Sequence, residues 1–354
     1  MKHSQPTPRA RDSGNDATKG LLIALVALGH CVPAQRAWPW LAAGGLYDFH
    51  VIGFLLLPFL RPAPACTART LADRAVRYLV PFAVFAVLSC AVWHVTMHPQ
   101  VSWSALPLAL VRGDVVALGN GVGFTFLWFM PSLLSLSVLR SVLAAAPRVL
   151  RLALVAVLVA AHGLVAGMVF GLPLNPLPAL FVLPLGWAVG ALAARRQARW
   201  LWLALAVGCA AIAALGHHHI NVAALLVPDW RSPQWLALHD VYAVAATLAA
   251  IHFGAALARL PGLVQIGRYS LVVYLSHQFV LKLAEVWSER QPWAGETAAR
   301  VVVAAVAVPA SLAFGWLLAQ GLERPPLHRW VLPQTMAEWP LTARLVRASV
   351  PAAE

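Results

Sequence analysis

Asp16-Ala17-Thr18-Lys19-Gly20 leads directly into the apolar run from Leu21 to Leu28, which ends at Gly29-His30. The stretch is a polar entry, then an apolar helix, then a histidine. Lys19 and His30 are eleven residues apart, which is about 16 Å along a helix at ~1.5 Å per residue. This distance is roughly half of a ~30 Å hydrocarbon core. If Lys19 marks the membrane edge, His30 lies near mid-membrane, where an ionisable side chain is costly and by default functional.

The composition of the whole chain agrees with a membrane location. Of 354 residues, 60% are hydrophobic and only 11% are charged, and the mean hydropathy is +0.73, whereas soluble proteins carry about 25% charged residues. The net charge of +13 would suggest a nucleic-acid partner in a soluble protein. The apolar content excludes nucleic acid and indicates a polytopic membrane protein that contacts lipids.

Ten apolar stretches are long enough, or nearly long enough, to span a bilayer: 19–35, 41–60, 78–97, 122–139, 152–170, 174–194, 200–216, 235–258, 264–286 and 301–321. With the N-terminus inside, 20 of the 26 lysines and arginines fall on the cytoplasmic segments, as the positive-inside rule requires. We therefore predict an all-α bundle of about ten transmembrane helices in the inner (plasma) membrane. Both termini are predicted to be cytoplasmic.

Three histidines fall at one predicted depth on different spans. His30 is eleven residues from Lys19, His50 is eleven before Arg61, and His277 is nine after Arg268, so each lies about 13–17 Å from the cytoplasmic edge. Burial disfavours the charged imidazole, so a histidine at that depth is expected to be neutral and able to accept a proton. The three are consistent with a shared polar cavity, although depth alone does not make their helices neighbours.

Two arginines and a polar helix face are further candidates. Arg74 and Arg77 are three residues apart, on one face of a helix, and a guanidinium binds phosphate oxygens in a bidentate manner. The pair would suit a phosphorylated donor or lipid headgroups. On the ninth span, Ser270, Tyr274, His277 and Gln278 share a face, and Lys282 and Glu285 are placed to pair near its outer end.

These residues resemble the acyltransferase-3 family of integral membrane acyltransferases, and in particular its sugar O-acetyltransferases of the fucose acetylase type. The resemblance rests on five segments in family order, which are Asp16–Gly20 through Gly29-His30, Tyr47-Asp48-Phe49-His50, Arg74-Ala75-Val76-Arg77 with Pro81, Leu127–Pro131, and Gly267–Gln278 with Glu323-Arg324-Pro325. One segment departs from the family pattern. The second helix ends in Phe54-Leu55-Leu56-Leu57-Pro58, where the family has an aromatic run closed by Ser-Gly.

The resemblance implies a single domain over residues 16–325, with cytoplasmic tails at 1–15 and 326–354. It implies transfer of an acyl group from acyl-CoA, with acetyl-CoA as the expected co-substrate, to a hydroxyl of a glycan or lipid-linked sugar. His30 would act as general base or carry the acyl group, and Asp16, His50 and His277 would orient or polarise it.

The same resemblance suggests where the two substrates bind. Arg74, Arg77 and Lys19 would hold the phosphates of the donor, and Trp128, Tyr274 and Gln278 would contact the acceptor.

Three alternatives remain open on the residues alone. A transporter or proton-coupled permease would use the mid-membrane histidines as a relay, and paired repeats would be expected. A metal site built from His30, His50 and His277 would need neighbouring spans. A structural or assembly protein of the cell envelope would need no chemistry at the histidines.

Overall fold

The computed structural model describes residues 12–39, 46–96, 103–162, 172–195, 198–216 and 233–343. The α-helices in these ranges are α1 Ser13–His30, α2 Val32–Ala37, α3 Leu46–Leu56, α4 Ala68–Thr96, α5 Leu106–Arg112, α6 Val115–Val122, α7 Phe129–Ala145, α8 Arg148–Ala160, α9 Leu177–Leu192, α10 Arg199–Gly216, α11 Pro233–Leu257, α12 Pro261–Arg268, α13 Ser270–Glu289, α14 Thr297–Leu322 and α15 Leu327–Val331. Short 3-10 segments follow α3 (Leu57–Leu60) and precede α7 (Thr125–Trp128). The predicted all-α class is confirmed for the described residues.

Helix α1 is the centre of the bundle and is defined at both ends. The Asp12 carboxylate accepts a hydrogen bond from the backbone N–H of Asn15 at 3.1 Å, which satisfies one of the donors that a helix start leaves unpaired. The helix ends at His30 because Cys31 is extended, and the short helix α2 begins at Val32 with Pro33 in its first turn. Around it pack α3, α11, α12 and α13.

Two glycines allow α1 and α12 to approach more closely than side chains would permit. A Cβ at Gly20 would overlap the carbonyl oxygen of Leu263, and a Cβ at Gly267 would overlap that of Asp16. Both glycines belong to the sequence motifs at the helix ends. This backbone contact holds the start of α13, which follows α12 directly, against the start of α1.

Five helical segments in the described ranges are long and apolar enough to cross a membrane: Ala68–His94, Thr125–Ala145, Arg199–Gly216, Pro233–Leu257 and Thr297–Leu322. Phe49–Leu60 and Leu177–Leu192 are shorter apolar helices. Helices α1 and α13 are absent from this group, and both carry many polar residues. Each of the ten predicted spans overlaps a described helix, but the count of ten membrane crossings and their orientation stay predictions.

The structure corrects several predicted boundaries. Helix α1 begins at Ser13 rather than at 19, and α4 begins at Ala68 rather than at 78. The predicted span 264–286 is not one continuous helix, because the backbone of Tyr269 leaves the helical conformation and separates α12 from α13. The short helices α5 and α6 lie largely between the predicted spans 78–97 and 122–139.

The start of the predicted C-terminal tail is docked on the bundle. Leu332 is buried against Val272 and Ala319, and the backbone N–H of Met336 donates to Asp73 on α4 at 2.8 Å. Residues 1–11, the histidine run 217–219 and residues 344–354 lie outside the described ranges.

Candidate active site

The three histidines meet at one point inside the bundle. Nδ1 of His30 lies 2.9 Å from Nε2 of His277, and the two rings stack with centroids 5.2 Å apart. The His50 ring stands edge-on to His30, with centroids 5.7 Å apart. His50 and His277 have no exposed surface, and His30 is partly buried. The three histidines that the sequence places at one predicted depth are therefore in direct contact, and they join α1, α3 and α13.

The hydrogen bonds of the stacked pair assign its tautomers. Nδ1 of His277 lies 2.6 Å from the carbonyl oxygen of Tyr274, and since a carbonyl only accepts, this nitrogen carries the proton. In the neutral ring, Nε2 of His277 is then an acceptor, and Nδ1 of His30 donates to it. It follows that Nε2 of His30 bears a lone pair and has the form required of a general base.

A cavity of about 320 Å³, which we call the Lys282 cavity, opens on one side of the histidines. Its walls combine imidazole, amide, charged and aromatic side chains, which are His30, His50, Gln35, Gln278, Lys282, Glu285, Trp93, Phe124, Thr125, Phe126 and Trp128, with Val32, Val51, Val115 and Gly123. Lys282 Nζ lies 2.8 Å from Glu285 Oε2 and 5.5 Å from the centre of the Trp93 ring. The pairing predicted for Lys282 and Glu285 is confirmed.

A second cavity of about 300 Å³, the Lys19 cavity, lies at the opposite end of α1. Four cationic side chains line it, namely Lys19, Arg61, Arg77 and Arg268, and no carboxylate does so among the described residues. The remaining wall is Asn15, Tyr78, Ser270 and Tyr274 with the apolar Phe54, Leu57, Pro58, Phe129, Leu133 and Leu271. This concentration of positive charge favours an anionic ligand such as a phosphate ester.

Three aromatic side chains, Phe126, Phe129 and Tyr274, stand between the two cavities, and we call them the aromatic partition. Phe126 lines the Lys282 cavity, and Phe129 and Tyr274 line the Lys19 cavity. The Tyr274 ring centre lies 4.8 Å from that of Phe129 and 5.7 Å from that of Phe126. The Tyr274 hydroxyl donates to the backbone carbonyl of Phe126 at 2.6 Å, which ties α13 to the segment before α7.

Most of the predicted site residues line these two cavities or the partition. Trp128 and Gln278 line the Lys282 cavity, and Arg77 and Lys19 line the Lys19 cavity. Arg74 does not line it, because its guanidinium donates to the Ser137 hydroxyl on α7. Arg74 and Arg77 are three residues apart in α4, as the spacing predicted. Arg74 bonds to α7, however, whereas Arg77 lines the cavity.

Asp16 is the predicted residue that the structure keeps away from the histidines. Fourteen residues separate it from His30 on one helix, which is about 21 Å at ~1.5 Å per residue. It is 4% exposed and its carboxylate lies 3.2 Å from Lys19 Nζ. Its position therefore supports Lys19 and not the imidazoles.

The sequence reasoning missed two arginines and one amide. Arg61 and Arg268 line the Lys19 cavity, and in the sequence Arg61 is indistinguishable from the other charges at the predicted cytoplasmic edge. Gln35 lines the Lys282 cavity and donates to the carbonyl of Gly29. A signal was present for Arg268, which lies in the Gly267-Arg268-Tyr269-Ser270 motif.

The comparisons with known proteins give one match. A family model described as an acyltransferase domain, that of the acyltransferase-3 family, matches residues 13–320. The match runs from the start of α1 to near the end of α14, so it includes both cavities and the histidines. No curated protein and no solved structure matches the chain significantly. Within the described residues, no group of three or more His, Cys, Asp or Glu side chains is arranged to hold a metal ion.

Proposed function

The chain belongs to the acyltransferase-3 family, and from that premise we propose that it is an O-acyltransferase of the inner membrane. It moves an acyl group, acetyl in the simplest case, from acyl-CoA to a hydroxyl of a glycan or lipid-linked sugar. The acyl–sulfur bond of the donor breaks and an acyl–oxygen bond forms. The products are the acylated sugar and free coenzyme A.

The observation that carries this proposal is the position of His30 beside one of two unlike cavities, close to the aromatic partition that separates it from the other. It lines the Lys282 cavity, while its stacking partner His277 lies beside Tyr274 of the aromatic partition. A base that lines one cavity, with a cationic second cavity beyond the aromatic partition, suits a reaction of two substrates. Its Nε2 takes the proton from the acceptor hydroxyl as the oxygen attacks the acyl carbon, and returns it to the departing thiolate.

The Lys19 cavity is suited to the phosphates of coenzyme A. Lys19 and Arg77, together with Arg61 and Arg268, supply charge-assisted hydrogen bonds to phosphate oxygens. All four belong to the predicted cytoplasmic edge, which is where cytosolic acyl-CoA is found. The thin acyl-bearing arm would pass the aromatic partition to reach His30. Asp16 holds Lys19 in place for this binding.

The departure at Phe54–Pro58 falls on this donor side. Phe54, Leu57 and Pro58 all line the Lys19 cavity, and none of them lines the Lys282 cavity. Apolar side chains there would contact the acyl arm. The departure is therefore compatible with an intact acceptor site.

The acceptor is assigned to the Lys282 cavity, where Trp128 and Gln278 contact it. His277 and His50 are positioning residues in this scheme: His277 fixes the tautomer of His30, and His50 packs against its ring. With ten spans and both termini in the cytoplasm, the Lys282 cavity faces the outer half of the membrane.

The first test compares wild type with His30→Ala at matched membrane expression. Radiolabelled acetyl from acetyl-CoA is followed into envelope glycans. Loss of a general base typically costs about 10²–10⁴-fold, so label incorporation is expected to fall to background in His30→Ala. His328→Ala is the control, because His328 lies on α15 outside both cavities. Full transfer by His30→Ala would overturn the assigned role.

A transporter with a histidine relay is the alternative that the two cavities also accommodate. It predicts movement of an intact substrate across sealed vesicles with no covalent product. Labelled acetyl found in ester linkage excludes it, and accumulation of unmodified label inside the vesicles would favour it.

A further inference from the structure

The Lys282–Glu285 ion pair is unexplained by the acyl-transfer chemistry. Both residues lie in α13, and their side chains are only 27% and 15% exposed. Burying two charges is expensive even when they pair, and ionisable residues within membrane segments are by default functional. The pair is turned toward the cavity that contains His30. It therefore acts on whatever occupies that cavity.

The pair and the base lie at different levels of one cavity. Along α13, Lys282 follows His277 by five residues and Glu285 follows it by eight, which is about 7.5 Å and 12 Å at ~1.5 Å per residue. The cavity volume of about 320 Å³ is at the lower end of the ~300–1,000 Å³ typical of small-molecule pockets. An occupant is therefore the size of one monosaccharide unit, with one hydroxyl at the base and others at the ion pair.

The chemistry of the wall matches a polyol. Glu285 accepts hydrogen bonds, Lys282 donates them, and the amide of Gln278 does both. Trp93, beside Lys282, and Trp128 add aromatic surface to the same wall, and the apolar C–H faces of a sugar ring pack on such surface. A hydroxyl is both donor and acceptor, so a sugar bonds to each member of the pair without separating the charges.

Because Lys282 and Glu285 carry opposite charges, their contributions to the net charge of the cavity cancel. A carboxylate on the ligand would bind Lys282 but meet Glu285, and an ammonium would bind Glu285 but meet Lys282. Like charges in contact, or a partner left unpaired in a site of low dielectric, cost affinity. We propose, on the basis of the function given above, that the Lys282–Glu285 pair makes this cavity a site for an uncharged sugar unit and rejects acidic and amino sugars.

Acceptor binding is measured without donor, by saturation-transfer NMR on purified protein in detergent with an equimolar mixture of methyl glucoside, methyl glucuronide and glucosamine. Wild type is expected to prefer methyl glucoside at least tenfold. Lys282→Met leaves a net negative cavity and shifts the preference to glucosamine, and Glu285→Gln leaves a net positive one and shifts it to methyl glucuronide. The double variant restores the neutral preference with weaker binding.

The matched control is Glu289→Gln on the same helix. Glu289 pairs with Arg36 at 2.8 Å outside the cavity and is 42% exposed, so the preference is expected to stay that of wild type. Unchanged selectivity in both single variants, or a wild type that binds none of the three sugars or prefers a charged one, overturns the inference. A purely structural pair would lower all binding without reversing the preference.

Binding of acetyl-CoA and acetyl transfer to methyl glucoside are measured on the same samples. Sugar selectivity without acetyl-CoA binding contradicts the proposed acyl transfer and leaves the neutral-sugar site standing. Acetyl-CoA binding with no neutral-sugar preference contradicts the site alone. The two failures are therefore distinguishable.

Discussion

The Lys19 cavity and the Lys282 cavity have nearly the same volume, about 300 Å³ and 320 Å³, and opposite electrostatic designs. The first has four cations and no lining carboxylate among the described residues. The second has one lysine paired with one glutamate. Size alone would assign both to similar ligands. Charge separates them, because a wall of four cations, of which only Lys19 has a carboxylate partner (Asp16) within the described part of the chain, selects an anion. A balanced pair selects a neutral polar molecule.

The two cavities also differ in the parts of the helices that form their walls. The Lys19 cavity is built at helix ends, where α12 meets α1 through Gly20 and Gly267. The Lys282 cavity is built along the middle of α13, with its charges one helical turn apart. Substitutions at helix ends are expected to affect packing and donor binding, and those in α13 are expected to affect selectivity and turnover.

The largest expected effect is on the helix contact beside the Lys19 cavity. In Gly267→Ala the new Cβ overlaps the backbone of Asp16, and overpacking typically costs about 1–3 kcal/mol. We expect a value near the upper end because backbone, rather than a flexible side chain, is the obstacle. Thermal stability by size-exclusion chromatography should fall clearly, and acetyl-CoA binding should weaken before sugar binding does.

Gly262→Ala is the matched control for this substitution. Gly262 lies in the same helix, and a Cβ there would have no neighbour within 4 Å. Its stability should equal or slightly exceed that of wild type, since alanine favours the helix by roughly 0.5–1 kcal/mol. Equal stability of the two variants would contradict the proposed close contact.

The next largest effect is expected at His277, which contacts both His30 and Tyr274 of the aromatic partition. In His277→Ala, His30 loses the acceptor that fixes its tautomer, so kcat should fall about 10²-fold while the KM for both substrates changes little. His277→Gln keeps a side-chain acceptor and should recover part of the loss. A variant that raises KM without lowering kcat would show that His277 binds substrate instead of positioning the base.

A smaller effect should distinguish the two neighbouring arginines of α4. Arg77→Met removes one of four cations from the Lys19 cavity and should weaken acetyl-CoA binding about tenfold, or ~1.4 kcal/mol. The loss should shrink at high salt, because screening weakens charge attraction. Sugar binding should not change.

Arg69→Met is the control for Arg77, since Arg69 is exposed on α4 and outside the cavity. Arg74→Met should lower thermal stability more than donor affinity, because Arg74 bonds to Ser137. Equal donor binding by Arg77→Met and Arg69→Met would remove Arg77 from the donor site.

The sequence predicted the polar centre better than the helix ends. Hydropathy and charge spacing placed His30, His50 and His277 at one depth, and helical spacing paired Lys282 with Glu285. Both rest on the fixed rise of a helix, which holds inside a bundle. The break at Tyr269 was missed because no proline or charge interrupts 269–281.

The features of the site that the sequence did not predict depend on packing between helices that are distant in the sequence. Arg74 and Arg77 look equivalent in the sequence, and only the position of Ser137 on another helix separates them. In the sequence, Arg61 and Arg268 resemble the other positive charges at the predicted cytoplasmic edge. Only the fold brings them to one cavity. The family resemblance implied that Asp16 orients or polarises His30, yet the length of the helix that they share separates them.

The smallest expected effect lies at the aromatic partition, which keeps the two cavities distinct. Tyr274→Phe keeps the ring but removes the hydrogen bond to the carbonyl of Phe126, which is worth about 1 kcal/mol. If the partition is looser, water from the Lys282 cavity can reach the acyl group that enters from the Lys19 cavity. We expect acetyl-CoA hydrolysis without acceptor to rise several-fold, with transfer reduced by less than half.

The ratio of hydrolysis to transfer is measured with labelled acetyl-CoA, with and without methyl glucoside. Tyr242→Phe is the control, because Tyr242 is a buried tyrosine on α11 that packs against Phe49 and lines neither cavity. If Tyr274→Phe leaves the ratio unchanged while Tyr274→Ala raises it, the ring alone separates the cavities. If neither variant raises it, the partition is not the barrier to water, and the separation of the two cavities must depend on the histidines themselves.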